Sequence, residues 1–196
     1  PSIANGMGRG IVPGGHPNLV TKARSKAFGA ADLVIVVGTP LDFRLGFGRF
    51  GGREGNDPAT TVHIADTPGQ ISPHADLGAS ASGSLGLIFD QIVAAVQSAP
   101  TRPNWTPWLE ELQNVVAGVH ETDKLILNSE ASPAHPARIY GELLPRLADD
   151  AVVIGDGGDF VSFAGKFVEP KQPGGWLDPG PYGCLGAGLG AAIAAR

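Results

Sequence analysis

The sequence predicts an α/β protein: a Rossmann-like parallel sheet with helices on both faces, followed by the beginning of a second α/β domain. The first observation is the apolar run at 33–37, LVIVV, which shows no period-2 alternation and ends at Gly38. Such a run is typical of a strand buried on both faces of a parallel sheet. The second is a helical pattern just before it, and the third is a new apolar run, AVVI at 151–154, ending in a glycine-rich loop.

Composition narrows the class of protein. The 196 residues are 42% hydrophobic and 17% charged, with a net charge of −5, so we expect neither nucleic acid nor a membrane as a partner. The 29 glycines and 17 prolines are too many for a helical bundle and indicate a loop-rich chain. A single cysteine, Cys184, excludes a disulfide within the chain and fits a reducing cytoplasm. No leader or bilayer-length apolar run is visible, which also favours a cytoplasmic location.

Apolar periodicity defines the elements of a first predicted domain, residues 1–98. Residues 1–4 read as the tail of a strand, and residues 19–28 as an amphipathic helix that leads into the strand at 33–37. A second buried strand is predicted at 60–65 and a short one at 75–81. Apolar residues at helical spacing over 85–96 predict the helix that closes the domain.

The remaining chain divides into a predicted linker, 99–135, and a second domain, 136–196. The linker contains a helix that begins at Thr106, with Pro107 in its first turn. A short helix at 137–144 must end before Pro145, and the strand at 151–154 and a small-residue helix from about Gly186 follow. Because the chain begins with proline and stops inside an Ala-rich helical pattern, we interpret it as a piece of a longer protein.

Polar residues follow the two main predicted strands. Asp42 and Arg44 come just after the first strand, and Asp66 follows the second. Ligands of open α/β sheets bind at the carboxyl ends of the strands. An arginine there suits phosphate, and a carboxylate accepts two hydrogen bonds from a ribose diol. An ordinary polar loop is the alternative interpretation, since Asp is also common in turns.

Other motifs are weaker. G-x-G-x-x-G-type spacing occurs at 46–51 and at 186–191, but neither copy lies between a strand and a helix, as a nicotinamide site requires. The five histidines lack metal-ligand spacing, so we predict that they are surface or capping residues: His16, His63, His74, His120 and His135. No serine lies in a G-x-S-x-G elbow, so hydrolase chemistry has no support.

Four segments, ADLVIVVGTPLDFRLGFG, TVHIADTPGQI, DDAVVIGDGGDF and GPYGCLGAGLGAAIAA, together resemble the thiamine diphosphate-dependent enzymes of the acetolactate synthase group. The resemblance implies a three-domain subunit, of which this chain covers the central domain and the start of the diphosphate-binding domain. It implies decarboxylation of a 2-oxo acid such as pyruvate and transfer of the two-carbon unit to a second 2-oxo acid, in branched-chain amino acid biosynthesis. It also implies thiamine diphosphate, Mg²⁺ and FAD as cofactors and a homodimer or homotetramer.

The resemblance also implies binding residues. The implied nucleotide-binding residues, for FAD or ADP, are Gly38, Thr39, Pro40, Leu41, Arg44 and Asp66. The implied thiamine diphosphate-binding residues are Gly157, Gly158, Asp159, Phe160, Gly183, Cys184 and Leu185. The Thr39-Pro40 pair departs from the family's usual glycine-alanine-arginine wording, and Ser82 stands near a position where the family often has an acid.

Neither a catalytic residue nor a metal ligand is implied within the chain. The family's activating glutamate belongs to its pyrimidine-binding domain, which the chain does not contain. Gly155-Asp156-Gly157 imitates the family's metal motif, but no asparagine follows Asn128, so it cannot be that site. We therefore expect the chain alone to be inactive.

Two alternatives remain open. The first is a 2-hydroxyacyl-CoA or oxalyl-CoA lyase of the same family, whose central domain holds ADP, because the pattern Leu41-Asp42-Phe43 with Phe47-Gly48 also suits that branch. A plain adenine-nucleotide-binding module is the other, because the central domain also resembles sirtuins and electron-transfer flavoproteins. A single cysteine argues against the four-cysteine zinc site of sirtuins.

Overall fold

A computed structural model describes residues 1–53 and 55–195. The chain divides into a three-strand unit, Arg24–Pro107, and a two-strand unit formed by Pro1–Ala23 and Trp108–Arg196. The predicted domains 1–98 and 136–196 stay a prediction, but the N-terminal segment groups here with the C-terminal half. The physical reason is long-range bonding: Arg9 Nη1 donates to the carbonyl of Gly165 at 2.8 Å, and Lys22 Nζ contacts the Asp123 carboxylate at 2.7 Å.

The three-strand unit is built on a parallel sheet. In chain order it contains α1 (Arg24–Ala30), β1 (Leu33–Val37), β2 (Thr60–Ala65), β3 (Ala79–Ser82) and α2 (Leu85–Ser98). The sheet order is β1-β2-β3, with Leu33 opposite Thr60 and Val62 opposite Ala79. The predicted α/β class, with a parallel sheet flanked by helices, is confirmed. All three strands consequently end at one edge of the sheet.

Burial of β1 is one-sided. Val36 is 6% exposed and packs with Leu41, Leu45 and Phe50, whereas Leu33 and Ile35 on the other face are 50% and 49% exposed. The expectation of a strand covered on both faces is therefore wrong for β1 among the described residues. An unalternating apolar run shows that both faces can be buried; it does not show which part of a protein covers them.

The two-strand unit contains most of the helical residues. Its elements are α3 (Thr106–Leu127, which begins just before the unit boundary), α4 (Ala137–Leu143), β4 (Val153–Ile154), α5 (Gly158–Phe167), β5 (Trp176–Leu177) and α6 (Ala187–Ala194). β5 pairs with β4 in parallel and was not predicted from the sequence, because two residues are too few to show a period. Its Trp176 is 1% exposed and packs with Tyr140 and Phe167 in the core of this unit.

The N-terminal residues form no regular strand; Ser2 and Leu19 make only an isolated parallel bridge. The predicted helix at 19–28 begins with a single 3₁₀ turn, Thr21–Ala23, before α1. Among the helices described for 1–53 and 55–195, none combines the length and apolar character needed to cross a bilayer.

Candidate functional site

The first candidate site is the loop that leaves β1. Gly38 turns the chain with φ +64°, in the left-handed region that favours glycine, while its N–H donates to the carbonyl of Ile64 at 2.9 Å. After Thr39-Pro40, the side chain of Leu41 is 1% exposed and anchors the loop in the core. A 3₁₀ segment, Phe43–Gly48, follows, and the Asp42 carboxylate caps it by accepting the Arg44 N–H at 2.9 Å. The loop therefore has a defined conformation, with a 3₁₀ segment and a buried leucine that packs in the core.

Three charged residues at this edge are connected by hydrogen bonds: Arg24, Asp42 and Arg44. Arg44 grips Asp42 with two nitrogens: Nη2 lies 2.8 Å from Oδ2, and Nε lies 3.2 Å from Oδ1. Burial opposes ionisation of Asp42, but the hydrogen bonds and charge of Arg44 outweigh it and hold the pKa of this carboxyl below its usual value. Arg24 donates to the carbonyl of Arg44. Burial, and to a smaller extent repulsion from the charge of Arg44, lowers the pKa of the Arg24 guanidinium.

Two guanidiniums and one carboxylate leave this group of three with one net positive charge. The structure therefore places Arg44 at the predicted edge but already paired with Asp42. An anionic ligand would share or replace the carboxylate, as phosphate can because its oxygens match the same planar fork.

Asp66 and Ser82 also lie at this edge. Asp66 directly follows β2 and is exposed, and Ser82 is the last residue of β3. The N–H of Gly83 donates to the carbonyl of Ala65 at 3.1 Å, which holds the ends of β2 and β3 together. The structure thus brings the strand-end residues named from the sequence to one edge of the sheet.

Sequence reasoning missed the contacts that two histidines, His63 and His74, make with this loop. The prediction of a surface or capping residue is wrong for His63, which is 1% exposed on β2. Its Nδ1 accepts the N–H of Ser72 at 3.1 Å, and its Nε2 lies 3.1 Å from the carbonyl of Thr39. The sequence did contain a signal for this burial, because His63 lies inside the apolar run TVHIA. A histidine buried in a strand needs a hydrogen-bond partner for each ring nitrogen. The capping interpretation is confirmed for His135, whose Nδ1 accepts the N–H of Ala137 at 3.1 Å.

The second candidate site joins two glycine-rich segments of the two-strand unit. Gly157 has φ +84°, and a Cβ added there would lie 2.8 Å from Leu185 Cδ2 and 3.2 Å from the carbonyl oxygen of Gly183. The segment beginning at 157 and the segment 183–185, both predicted to bind one cofactor, are therefore in contact. Only glycine allows the backbone to come this close.

Exposed side chains and the first turns of α5 and α6 surround this contact. The N–H of Gly188 in the first turn of α6 donates to the Asp156 carboxylate at 2.9 Å, while α5 begins at Gly158 with Asp159 in its first turn. Phe160 and Leu185 are 66% and 75% exposed, and Cys184 is also exposed. Leu185 is therefore not a core residue. Within 1–53 and 55–195, no group of three or more His, Cys, Asp or Glu residues is arranged to hold a metal ion.

Comparison with known proteins gives matches that cover the whole of this chain and about a third of each relative. No family model matches the chain. The chain is 40% identical over its whole length to the acetolactate synthase large subunit IlvG of Mycobacterium tuberculosis and to a probable acetolactate synthase of Mycobacterium bovis, covering 34% of each. It is 29% identical, again over its whole length, to human 2-hydroxyacyl-CoA lyase 2, covering 31% of that protein. The chain thus spans about a third of the length of the curated relatives it matches, and the resemblance inferred from the four segments is confirmed.

Proposed function

We propose that the chain forms the nucleotide-binding portion and the beginning of the diphosphate-binding portion of a thiamine diphosphate-dependent enzyme most like acetolactate synthase. The observation that carries the proposal is the contact of Gly157 with Gly183 and Leu185, two segments 26 residues apart that the family resemblance assigns to one cofactor. The 40% identity over the full chain to proteins named acetolactate synthase supports the same assignment.

The residues of the two-strand unit suit such a cofactor. Gly157 and Gly158, with φ +84° and +61°, leave the N-terminal N–H groups of α5 uncovered by any side chain of their own, and such groups bind phosphate. Leu185 projects beside them and would hold the cofactor in its bent form, while the Gly183 carbonyl would face the aminopyrimidine. When bound, thiamine diphosphate supplies the electron sink that lets a 2-oxo acid lose carbon dioxide. Mg²⁺ would be held by residues of the longer protein.

FAD or ADP is proposed at the edge of the parallel sheet. The loop 38–44 would contact the phosphates, supported by the net positive charge of Arg24, Arg44 and Asp42, and Asp66 would meet the adenosine part. A 2-oxo acid substrate and a homodimer or homotetramer complete the proposal by analogy with the family.

Calorimetry with FAD and with ADP tests the nucleotide site. If the Arg44 guanidinium binds a phosphate, Arg44→Ala should weaken binding by about 1.5–3 kcal/mol, roughly 10-fold to 150-fold. Arg102→Ala is the matched control, because Arg102 is exposed in the segment between α2 and α3, where it donates to the carbonyl of Gln97 at 3.3 Å. Equal affinity in both variants would place the nucleotide elsewhere.

A 2-hydroxyacyl-CoA lyase is the second candidate, favoured by the 29% identity of the whole chain to part of the human enzyme named 2-hydroxyacyl-CoA lyase 2. The bound nucleotide separates the two candidates, since FAD gives a yellow preparation and ADP a colourless one. With pyruvate, thiamine diphosphate, magnesium and FAD supplied, the 196-residue chain by itself should give no turnover above a cofactor-only blank. Turnover above the blank would show that the chain holds a complete active site.

A further inference from the structure

Two histidines form hydrogen bonds with backbone carbonyls of the candidate nucleotide-binding loop, residues 38–44. His63 Nε2 lies 3.1 Å from the carbonyl oxygen of Thr39, and His74 Nε2 lies 2.9 Å from the carbonyl oxygen of Leu41. A carbonyl oxygen can only accept, so each of these nitrogens must carry its proton and donate. The two carbonyls flank Pro40, so the imidazoles bind the turn of the loop on either side of that residue.

Ser72 connects the two rings and fixes the tautomer of His63. The backbone N–H of Ser72 donates to His63 Nδ1 at 3.1 Å, and since a backbone N–H can only donate, Nδ1 must be unprotonated. The hydroxyl of Ser72 lies 3.1 Å from His74 Nδ1. Both nitrogens of each ring therefore have partners, and His63 is the neutral imidazole with its proton on Nε2.

The contact between His63 and the loop is buried. Its side chain is 1% exposed, and the Thr39 carbonyl it binds belongs to the turn immediately after β1. His74 is exposed, but the ring of Phe47 meets it edge to face at 6.1 Å between centroids. Phe47 has φ +55°, a conformation that bulky residues rarely adopt and that surrounding contacts must stabilise.

We propose that His63 and His74 are positioning residues for the nucleotide: as Nε2–H donors they fix the carbonyls of residues 39 and 41 and thereby the conformation in which the loop meets phosphate. The proposal rests on the nucleotide site proposed above. Neither histidine touches the ligand, and their effect on affinity is expressed through the loop.

Two substitutions of His63 separate its two bonds. In His63→Asn the amide oxygen stands in place of Nδ1 and accepts from Ser72, but nothing reaches Thr39. In His63→Gln the amide nitrogen stands in place of Nε2 and donates to Thr39, while the Ser72 bond is lost. A merely structural histidine would lower the melting temperature in both variants and leave the affinity of the folded protein equal in the two.

The positioning role predicts an asymmetry instead. In nucleotide-free protein, amide hydrogen exchange at Leu45 and Phe47, both bonded to the Asp42 carbonyl, should become about tenfold faster in His63→Asn and stay within about twofold of the wild type in His63→Gln. Affinity for ADP and FAD should follow the same order. Nitrogen NMR of the wild type should show the His63 proton on Nε2.

His74 provides the same comparison at an exposed position, where folding is not at risk. His74→Leu should speed exchange in the loop and weaken nucleotide binding about tenfold, and His74→Gln should restore both. His120→Leu, an exposed histidine of α3, is the control and should change neither.

The outcomes distinguish the two proposals. Exchange and affinity that are the same in the Asn, Gln and Leu variants as in the wild type would overturn the positioning role, as would a His63 proton on Nδ1. A wild type that binds neither ADP nor FAD, while the asymmetry in exchange persists, would overturn the nucleotide site and leave the two histidines as anchors of the loop alone.

Discussion

Removing the carboxylate of Asp123 should destabilise the two-strand unit more than any surface charge change. Asp123 on α3 is 2% exposed; its Oδ2 lies 2.7 Å from Lys22 Nζ, and its Oδ1 lies 3.1 Å from Lys166 Nζ. Burial opposes ionisation of this carboxyl, but the hydrogen bonds from the two lysines outweigh it and lower its pKa. The group joins the N-terminal segment, α3 and α5, which are far apart in the sequence.

The expected cost of Asp123→Asn follows from what is left behind. Lys22 keeps only 9% of its side chain exposed and would become a buried cation without a counter-charge, for which losses of about 3–5 kcal/mol are typical. Its remaining bond to the carbonyl of Lys166, at 2.8 Å, and the 47% exposure of the Lys166 side chain favour the lower end, about 3 kcal/mol. Thermal unfolding should then shift down by roughly 6–12 °C.

The assay is unfolding followed by circular dichroism at several pH values. Because the folded-state pKa of Asp123 is lowered, its stabilisation is fully present above the ordinary carboxyl pKa and is lost as the pH falls through the lowered value. The loss from Asp123→Asn should therefore be full at neutral pH and shrink in acid. Glu121→Gln on the same helix is the control: Glu121 pairs with Lys124 at 2.5 Å, but both side chains are more than 60% exposed, so the loss should be under about 1 kcal/mol. An Asp123→Asn variant that melts with Glu121→Gln at neutral pH would refute the reasoning.

Three further outcomes follow from burial and backbone geometry. Leu185→Ala should leave the melting temperature nearly unchanged, within about 0.5 kcal/mol, because the side chain is 75% exposed, while lowering kcat in the full-length enzyme; early melting with normal turnover would remove Leu185 from the active site. Trp176→Ala should cost about 3–5 kcal/mol in denaturant titration, since the ring is 1% exposed; a loss below 1 kcal/mol would contradict its place in the core. Gly157→Ala should cost about 1–3 kcal/mol, because φ +84° with ψ −176° is a conformation almost confined to glycine, and should weaken thiamine diphosphate binding in the full-length enzyme, because the new Cβ displaces Leu185; unchanged binding would detach Gly157 from the cofactor.

Local signals in the sequence were sufficient for the elements that have enough length to show a period. The strands at 33–37 and 60–65 have the predicted bounds, and α2 begins at the predicted residue, Leu85. β5 could not be found because a two-residue strand has no period, and the grouping of residues 1–23 depends on long-range bonds that leave no pattern nearby.

The candidate sites divide in the same way. The positions of glycine and arginine in the sequence predicted where a ligand could bind, because backbone freedom and a planar positive charge are properties of these residues in any fold. The pairing of Arg44 with Asp42 and the role of His63 depend on which atoms the fold brings within hydrogen-bonding distance. Sequence composition and residue spacing do not show which atoms will be hydrogen-bond partners in the folded chain.

The grouping of residues 1–23 with the C-terminal half makes the two-strand unit discontinuous, whereas the three-strand unit is one uninterrupted stretch. In topological terms, the three-strand unit is an insertion into the other. A clone of residues 24–107 therefore keeps every covalent part of its unit. A clone that starts at Trp108 discards Lys22, the partner of Asp123, and Arg9, whose guanidinium lies 4.9 Å from the centre of the Trp176 ring. Dissection of this protein into expressible pieces should retain the N-terminal segment, either joined to residue 108 by a short linker or supplied as a separate peptide.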